Sequence, residues 1–300
     1  MKSSLKAHFA IFTANAIYGA NFTVAKFVMP DYIKPFGFIF LRVFGALILF
    51  FLVSLFLKTE KIEKKDVPRF IACGIFGIAL NQLLFFGGLS ITSPINAGII
   101  MTMTPILVMF IGSYLLKEKL SFQKLTGIIM GIAGAIIIIT KGGKYNYNST
   151  TALGDLFILI NATSYAVYMV IVKPLMKRYS TFTVITRVFF FGFIFVFPFG
   201  WREITEIQWN SFTPAIWGGT AFVIVGTTFF AYLFNTYGLK ELSPAIVSFY
   251  IYSQPLLAAI IAISLNKDHL DSMKIISGLL IFTGVYLVSK PTSILNKNNT

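Results

Sequence analysis

Runs of about 20 apolar residues set the first constraint on this chain. There are ten, at roughly 7–27, 35–57, 68–90, 94–116, 122–140, 155–173, 181–200, 213–237, 244–264 and 274–290. In hydrocarbon no water is present to bond a backbone N–H or C=O. A spanning segment must satisfy its own polar backbone, and the α-helix does so within one segment. The runs leave only short connections, too short for a soluble catalytic domain. Composition agrees: 12% of residues are charged, against about 25% in a soluble domain.

The second half of the chain repeats the first. Leu89–Pro105 reads L-S-I-T-S-P-I-N-A-G-I-I-M-T-M-T-P, and 150 residues on Leu239–Pro255 reads L-K-E-L-S-P-A-I-V-S-F-Y-I-Y-S-Q-P. Tyr18 aligns with Tyr165, Lys26 with Lys173, Arg42-Val43-Phe44 with Arg187-Val188-Phe189, Lys117-Glu118 with Lys267-Asp268, and Gly134 with Gly284. The third and eighth runs align only weakly, through Gln82/Tyr232 and Gly88/Gly238. Five spans per unit is an odd number, so the second unit must enter the membrane from the opposite side. The expected fold is an all-α membrane protein of ten transmembrane helices in two inverted five-helix repeats. The repeats cover 1–140 and 154–290, joined by a polar linker at 141–153 and followed by a polar tail at 291–300.

The formal net charge of +14 is explained by where the charges lie. Lys58, Lys61, Lys64, Lys65 and Arg69 crowd one connection, and Lys117, Lys119, Lys124, Lys173, Lys177 and Arg178 fall in others on that same side. The opposite side holds far fewer, among them Lys26, Lys34, Lys144 and Arg202. By the positive-inside rule both termini are cytoplasmic and the linker is external. The basic excess is a topology signal, and no nucleic-acid partner is expected. The first run holds Asn15, Tyr18 and Asn21 without an A-x-A-like site, so it reads as a retained helix rather than a cleaved signal. His8 and His269 fall near helix ends and read as interfacial. With Cys73 as the one cysteine, no disulfide framework, thiolate metal site or cofactor is expected.

Ser93-Pro94 and Ser243-Pro244 each read as an N-cap followed by a first-turn proline. Pro105 and Pro255 then fall in mid-helix, where each removes a backbone bond and frees a carbonyl. Their recurrence in both halves marks them as hinges or site-lining breaks. The polar residues within spans cluster by face. Helix 1 offers Asn15, Tyr18 and Asn21, and helix 3 offers Asn81 and Gln82. Helix 4 carries Asn96, Thr102 and Thr104, and helix 6 carries Asn161, Ser164, Tyr165 and Tyr168. Helix 8 has Thr228, Tyr232 and Asn235, while helix 9 has Tyr250 and Gln254. Such groups need partners in hydrocarbon and turn to the bundle interior or a wet cavity. Singly, each could be interhelical glue. Together they favour a central site, with Asn15, Tyr18, Asn21, Asn81, Gln82, Thr102, Tyr165, Tyr168, Tyr232, Asn235, Tyr250 and Gln254 as candidates. Helices 2, 5, 7 and 10 are more apolar and read as peripheral.

All eleven acidic residues fall in loops or at helix ends, so no intramembrane carboxylate is expected to couple cation movement to protons. Arg42 and Arg187 stand about six residues into their helices. There they can snorkel to the headgroups, or act as a gate or bind a substrate carboxylate. The spans hold no carboxylate pair, Ser/His pair or metal cluster, which argues against an enzyme. Aromatic and amide groups suit a neutral or zwitterionic, partly apolar solute such as an amino acid. A passive pore would show charged rings or a carbonyl filter. An assembly factor or receptor is the remaining alternative, but a large external domain is missing.

The stretch A-x-x-x-Y-G-x-N-F-x-x-A-K from Ala14 to Lys26, Arg42 in helix 2, and the S-P…P pattern of helices 4 and 9 followed by K-E or K-D resemble the drug/metabolite transporter superfamily. The resemblance is to its ten-helix EamA-type permeases. It implies a bacterial inner-membrane carrier of small-molecule substrates. The resemblance also implies a central cavity lined by helices 1, 3, 4, 6, 8 and 9, and export of amino acids or related metabolites. Ten spans suffice for a complete pathway in one chain, so a monomer or homodimer in lipid is the expected form.

Overall fold

The computed structural model describes residues 2–56, 60–116, 122–140, 150–242, 250–251 and 253–289. Every regular element among them is helical. α1 (Lys2–Val28) and α2 (Pro35–Ser54) are joined by a short turn. α3 (Val67–Gly74) runs through a π-helical stretch, Ile75–Ala79, into α4 (Leu80–Ile91). Then come α5 (Pro94–Met101), α6 (Thr104–Leu116), α7 (Phe122–Thr140), α8 (Thr150–Ile171) and the single turn α9 (Lys173–Met176). α10 (Thr181–Thr205) precedes α11 (Pro214–Ala221), which passes through a second π-helical stretch, Phe222–Phe230, into α12 (Ala231–Glu241). α13 (Ser253–Ser264) and α14 (Ser272–Ser289) complete the described chain.

Six of the expected spans are both long and apolar enough to cross a membrane: Pro35–Ser54, Lys64–Ile91, Pro94–Gly112, Thr150–Ile171, Thr181–Thr205 and Pro214–Gly238. Phe122–Ile137, Ser253–Ser264 and Ser272–Leu287 are apolar but shorter. α1 has the length, 27 residues, but Asn15, Tyr18, Asn21 and Lys26 leave it less apolar than the six. Polarity is arranged inside-out. Phe56 is 87% exposed and Phe122 86%, whereas Asn15 and Asn161 are each 1% exposed. Large rings outside and amides inside fit a solvent of lipid.

Capping follows the sequence signals. Ser93 accepts the Asn96 backbone N–H at 3.1 Å, with Pro94 in the first turn of α5. Thr213 and Pro214 open α11 in the same way, with the Ile216 N–H at 3.4 Å. The Ser243-Pro244 cap lies outside the described residues. Pro105 does not sit in mid-helix as expected. The helix stops at Met101, turns at Thr102–Met103 and restarts at Thr104, which places Pro105 in the first turn of α6. Proline has no N–H for the Met101 carbonyl, and the Thr104 hydroxyl donates to it instead at 2.7 Å. Pro255 is the third residue of α13, where Ser253 Oγ donates to the Tyr250 carbonyl at 2.6 Å.

Shifting Ile75–Ala79 by 150 residues lands it inside Phe222–Phe230, so the two runs that align weakly in sequence share their helical irregularity. They also end alike. Thr92 N–H donates to Gly88 O at 2.9 Å, and Leu242 N–H to Gly238 O at 2.8 Å. α7 packs on α14, and α2 on α10. The α7–α14 contact is backbone to backbone: a Cβ on Gly284 would stand 2.5 Å from Gly127 O, and one on Gly134 would stand 2.8 Å from Ser277 O. Glycine permits that approach where lipid gives helices no hydrophobic reason to associate.

Candidate functional site

α1, α4, α8 and α12 surround a cavity of about 100 Å³, several times the space one water needs. Asn15, Tyr18 and Asn21 face it from α1, and Asn81 and Gln82 from α4. Tyr165 of α8, Tyr232 and Asn235 of α12, and Gln254 of α13 complete the candidates found there. Helical phase explains the grouping, because residues three and four apart share a face. Cross-helix bonds fix these side chains. Gln254 Nε2 donates to Asn15 Oδ1 at 2.7 Å, while Asn15 Nδ2 donates back to Ile11 O at 2.8 Å. Asn161 Nδ2 donates to Asn81 O at 2.6 Å. Gln82 Nε2 is shared between Asn81 Oδ1 at 2.6 Å and the Tyr232 hydroxyl at 3.3 Å. The matched pair Gln82 and Tyr232 therefore meets across the two halves.

Three candidates stand elsewhere. The Thr102 hydroxyl turns back to Ile99 O at 2.6 Å, spent on its own broken helix end. Tyr168 stacks on Tyr165, with ring centroids 5.9 Å apart, and fills the space beside Gly77. Tyr250 accompanies Ala7, Ile11 and Leu242 in a small apolar cluster and meets His8 Nδ1 at 3.0 Å. His8, near the start of α1, is half-buried and bonded. Asn161 and Thr104, noted on their faces but not chosen, do line the cavity, as do Thr227 and the apolar Phe22, Phe85, Met101 and Ile251. Helical phase marked Asn161. The apolar four carry no chemical signal in a chain with 33 phenylalanines.

Arg42 corrects two expectations, since it neither snorkels nor belongs to a purely peripheral helix. It is 3% exposed and lines the cavity. Its Nε donates to Thr228 Oγ1 at 2.5 Å, and its guanidinium carbon stands 4.8 Å above the Phe86 ring. The π-helical stretch sets up the first contact. Thr228 Oγ1 donates to Val223 O, five residues back, at 2.9 Å, and so presents a lone pair to Arg42. Among the described residues no carboxylate lines the cavity or pairs with Arg42. Arg187 is half-buried and lies apart from the cavity.

Toward one end of α1 a polar cluster ties three elements together. Lys26 Nζ donates to the Thr92 carbonyl, and the Thr92 hydroxyl donates to Asp155. Asn96 Nδ2 also donates to Asp155, at 3.0 Å. Asp155 is 0% exposed in the second turn of α8, so one carboxylate does lie buried within a helix, contrary to expectation. Beside it, Asp268 accepts Lys274 Nζ at 2.6 Å and the Ile95 backbone N–H at 3.1 Å. Burial pushes the Asp268 carboxyl up. The Lys274 and Ser93 side chains and the His269 N–H outweigh that and hold it below the usual carboxylate range.

A carboxyl depressed on folding contributes stability above its unfolded pKa and loses it as pH falls through the folded value. Asp268→Asn is therefore expected to lower the melting temperature at pH 7, with the deficit closing below about pH 4. Melting curves in detergent read this. A deficit that stays constant into acid would contradict it.

The sequence profile of the EamA-like transporter family matches residues 5–140 and 152–290. A relative from Archaeoglobus fulgidus, named as a transporter, is 25% identical over 95% of this chain and 97% of its own. The transporter YyaM of Bacillus subtilis is 26% identical over 94% and 91%. A probable terminal-alkyne amino-acid exporter of Streptantibioticus cattleyicolor is 24% identical over 47% of this chain and 46% of its own. One solved structure superposes with a TM-score of 0.62 over 94% of this chain and 95% of its own, at 18% identity, which shows likeness of fold.

Proposed function

Because the chain belongs to the EamA-like transporter family, an integral membrane family of transporters rather than enzymes, we propose that it exports amino acids or related small metabolites by alternating access. The observation that carries this reading is the cavity itself. It is walled by amides and phenols from both halves of the chain, with Gln254 bonded to Asn15 and Gln82 to Tyr232 across it. The paired π-helical stretches, the paired helix ends and the matched close approaches at Gly134 and Gly284 support two inverted five-helix repeats, 1–140 and 154–290, with ten spans and both termini cytoplasmic. In this reading the breaks at Pro105 and Pro255 act as hinges. The protein sits in a bacterial inner membrane as a monomer or homodimer. The amino-acid exporter from Streptantibioticus supports the substrate class.

Counterflow into proteoliposomes loaded with a mixture of amino acids tests the proposal. Gln254→Ala removes one interhelical bond, worth about 0.6 kcal/mol to stability. It is expected to leave melting nearly unchanged while uptake falls about tenfold, the worth of one substrate-oriented hydrogen bond. Uptake unchanged in Gln254→Ala would remove that residue from the site. Absence of flux for every amino acid would overturn the substrate class.

A further inference from the structure

Two kinds of unmet bonding capacity occur among the residues that line the cavity. One is the Arg42 guanidinium, 3% exposed, with Nε spent on Thr228 and no carboxylate partner among the described residues. The other is a set of buried oxygens without hydrogen-bond partners on lining residues: Gln82 Oε1, Asn161 Oδ1, Asn21 Oδ1 and Thr227 Oγ1. The orientation of the first two amides is fixed by their nitrogens. Asn161 Nδ2 bonds the Asn81 backbone carbonyl, which accepts only, and Gln82 Nε2 bonds Asn81 Oδ1 and Tyr232. Their oxygens are what remains. A buried cation asks for an anion, and buried oxygens ask for N–H donors. Leaving either unmet costs free energy.

We infer that Arg42 docks the carboxylate of the substrate and that Gln82 and Asn161 receive its ammonium, so that the cavity selects solutes carrying both groups. The inference rests on the transport reading above and sharpens it. Phe86, beneath the guanidinium, lies one turn from Gln82 on α4, about 6 Å along the axis, and hydrogen bonds of about 2.9 Å at each end leave room for a carboxylate and its neighbouring ammonium. Among the described residues no acidic side chain competes for Arg42, and neutral oxygens hold an ammonium without cancelling the guanidinium. A charged acceptor in their place would pair with Arg42 and close the site. Phe22, Phe85, Met101 and Ile251 give the remaining wall an apolar character that accommodates an aliphatic side chain.

The test uses the full chain in nanodiscs, with thermal shift and calorimetry against the twenty common amino acids. For L-leucine or the best binder among them, two analogues follow: the amide, which lacks the carboxylate, and the deamino acid, which lacks the ammonium (for leucine, leucinamide and 4-methylpentanoate). Each analogue is expected to bind about 10- to 100-fold more weakly than the parent. Arg42→Gln is expected to weaken the parent amino acid by a similar factor while leaving affinity for the amide unchanged. If Arg42→Gln misfolds, the analogue series on the wild-type chain still decides.

An analogue binding as well as its parent overturns the assignment at that end of the site. If no amino acid binds but another solute is taken up and responds to Gln254→Ala, the transporter stands and the two-ended site falls. If nothing binds or moves, both fall.

Discussion

Valine at Gly284 is expected to be the most damaging single apolar substitution in the helical bundle. Its Cβ would stand 2.5 Å from Gly127 O and 2.9 Å from Gly131 N, both backbone atoms of α7 that no side-chain rotation can clear. α7 and α14 would have to move apart along their shared length, losing the packing that holds them in lipid. Overpacking of this kind costs about 1–3 kcal/mol or more. The melting temperature in detergent should fall by several degrees, about what such a loss brings in a chain this long. Gly112→Ala is the control. Among the described residues nothing beyond its chain neighbours and its own helix backbone stands within 4 Å of its Cβ, and alanine is the better helix former by about 1 kcal/mol, so that variant should be neutral or stabilising. Equal melting of the two variants would show that the close approach does not support the fold.

Alanine at Asp155 is expected to open the Lys26 end of the bundle. The carboxylate accepts from the Thr92 hydroxyl and the Asn96 amide, while Lys26 holds the Thr92 carbonyl. Without it, two buried donors lose their acceptor at a cost of about 2 kcal/mol, and Thr92 is no longer held to α8. Labelling with a membrane-impermeant amine reagent, read residue by residue by mass spectrometry, should rise at Lys26. It should stay constant at Lys34, whose partner is Glu206 at 2.5 Å in a separate contact. Counterflow should fall as the bundle loses one closed end. If Lys26 labelling is unchanged, the cluster does not close this end.

Much of the cavity was legible because helical phase is periodic. Asn15, Tyr18 and Asn21 had to share a face, as did Tyr232 and Asn235. Capping at Ser93-Pro94 was legible because it is local. The failures concern facts that phase does not carry. Depth along a helix leaves snorkelling, gating and carboxylate binding all open to Arg42, because it says nothing about which way the side chain faces, and the Thr228 oxygen that holds it comes from 186 residues away. Asp155 looked like a helix-end charge, yet its partners Thr92 and Asn96 are brought to it by the turn between α4 and α5. Phenols in lipid suggest a site, but Tyr168 and Tyr250 each have a structural partner instead. The break at Thr102 rather than Pro105 follows from proline acting on the carbonyl four residues before it.

The wide turns in the third and eighth runs have a geometric consequence. Tightening one of them into ordinary α-helix would swing everything beyond it by about 100° for each surplus residue removed. Gln82 lies just past one such stretch and Tyr232 just past the other. Neither segment can regularise by itself without turning one member of that couple away from its counterpart. The contact between the halves therefore works as a register lock, kept only while both irregularities persist or both wind up together.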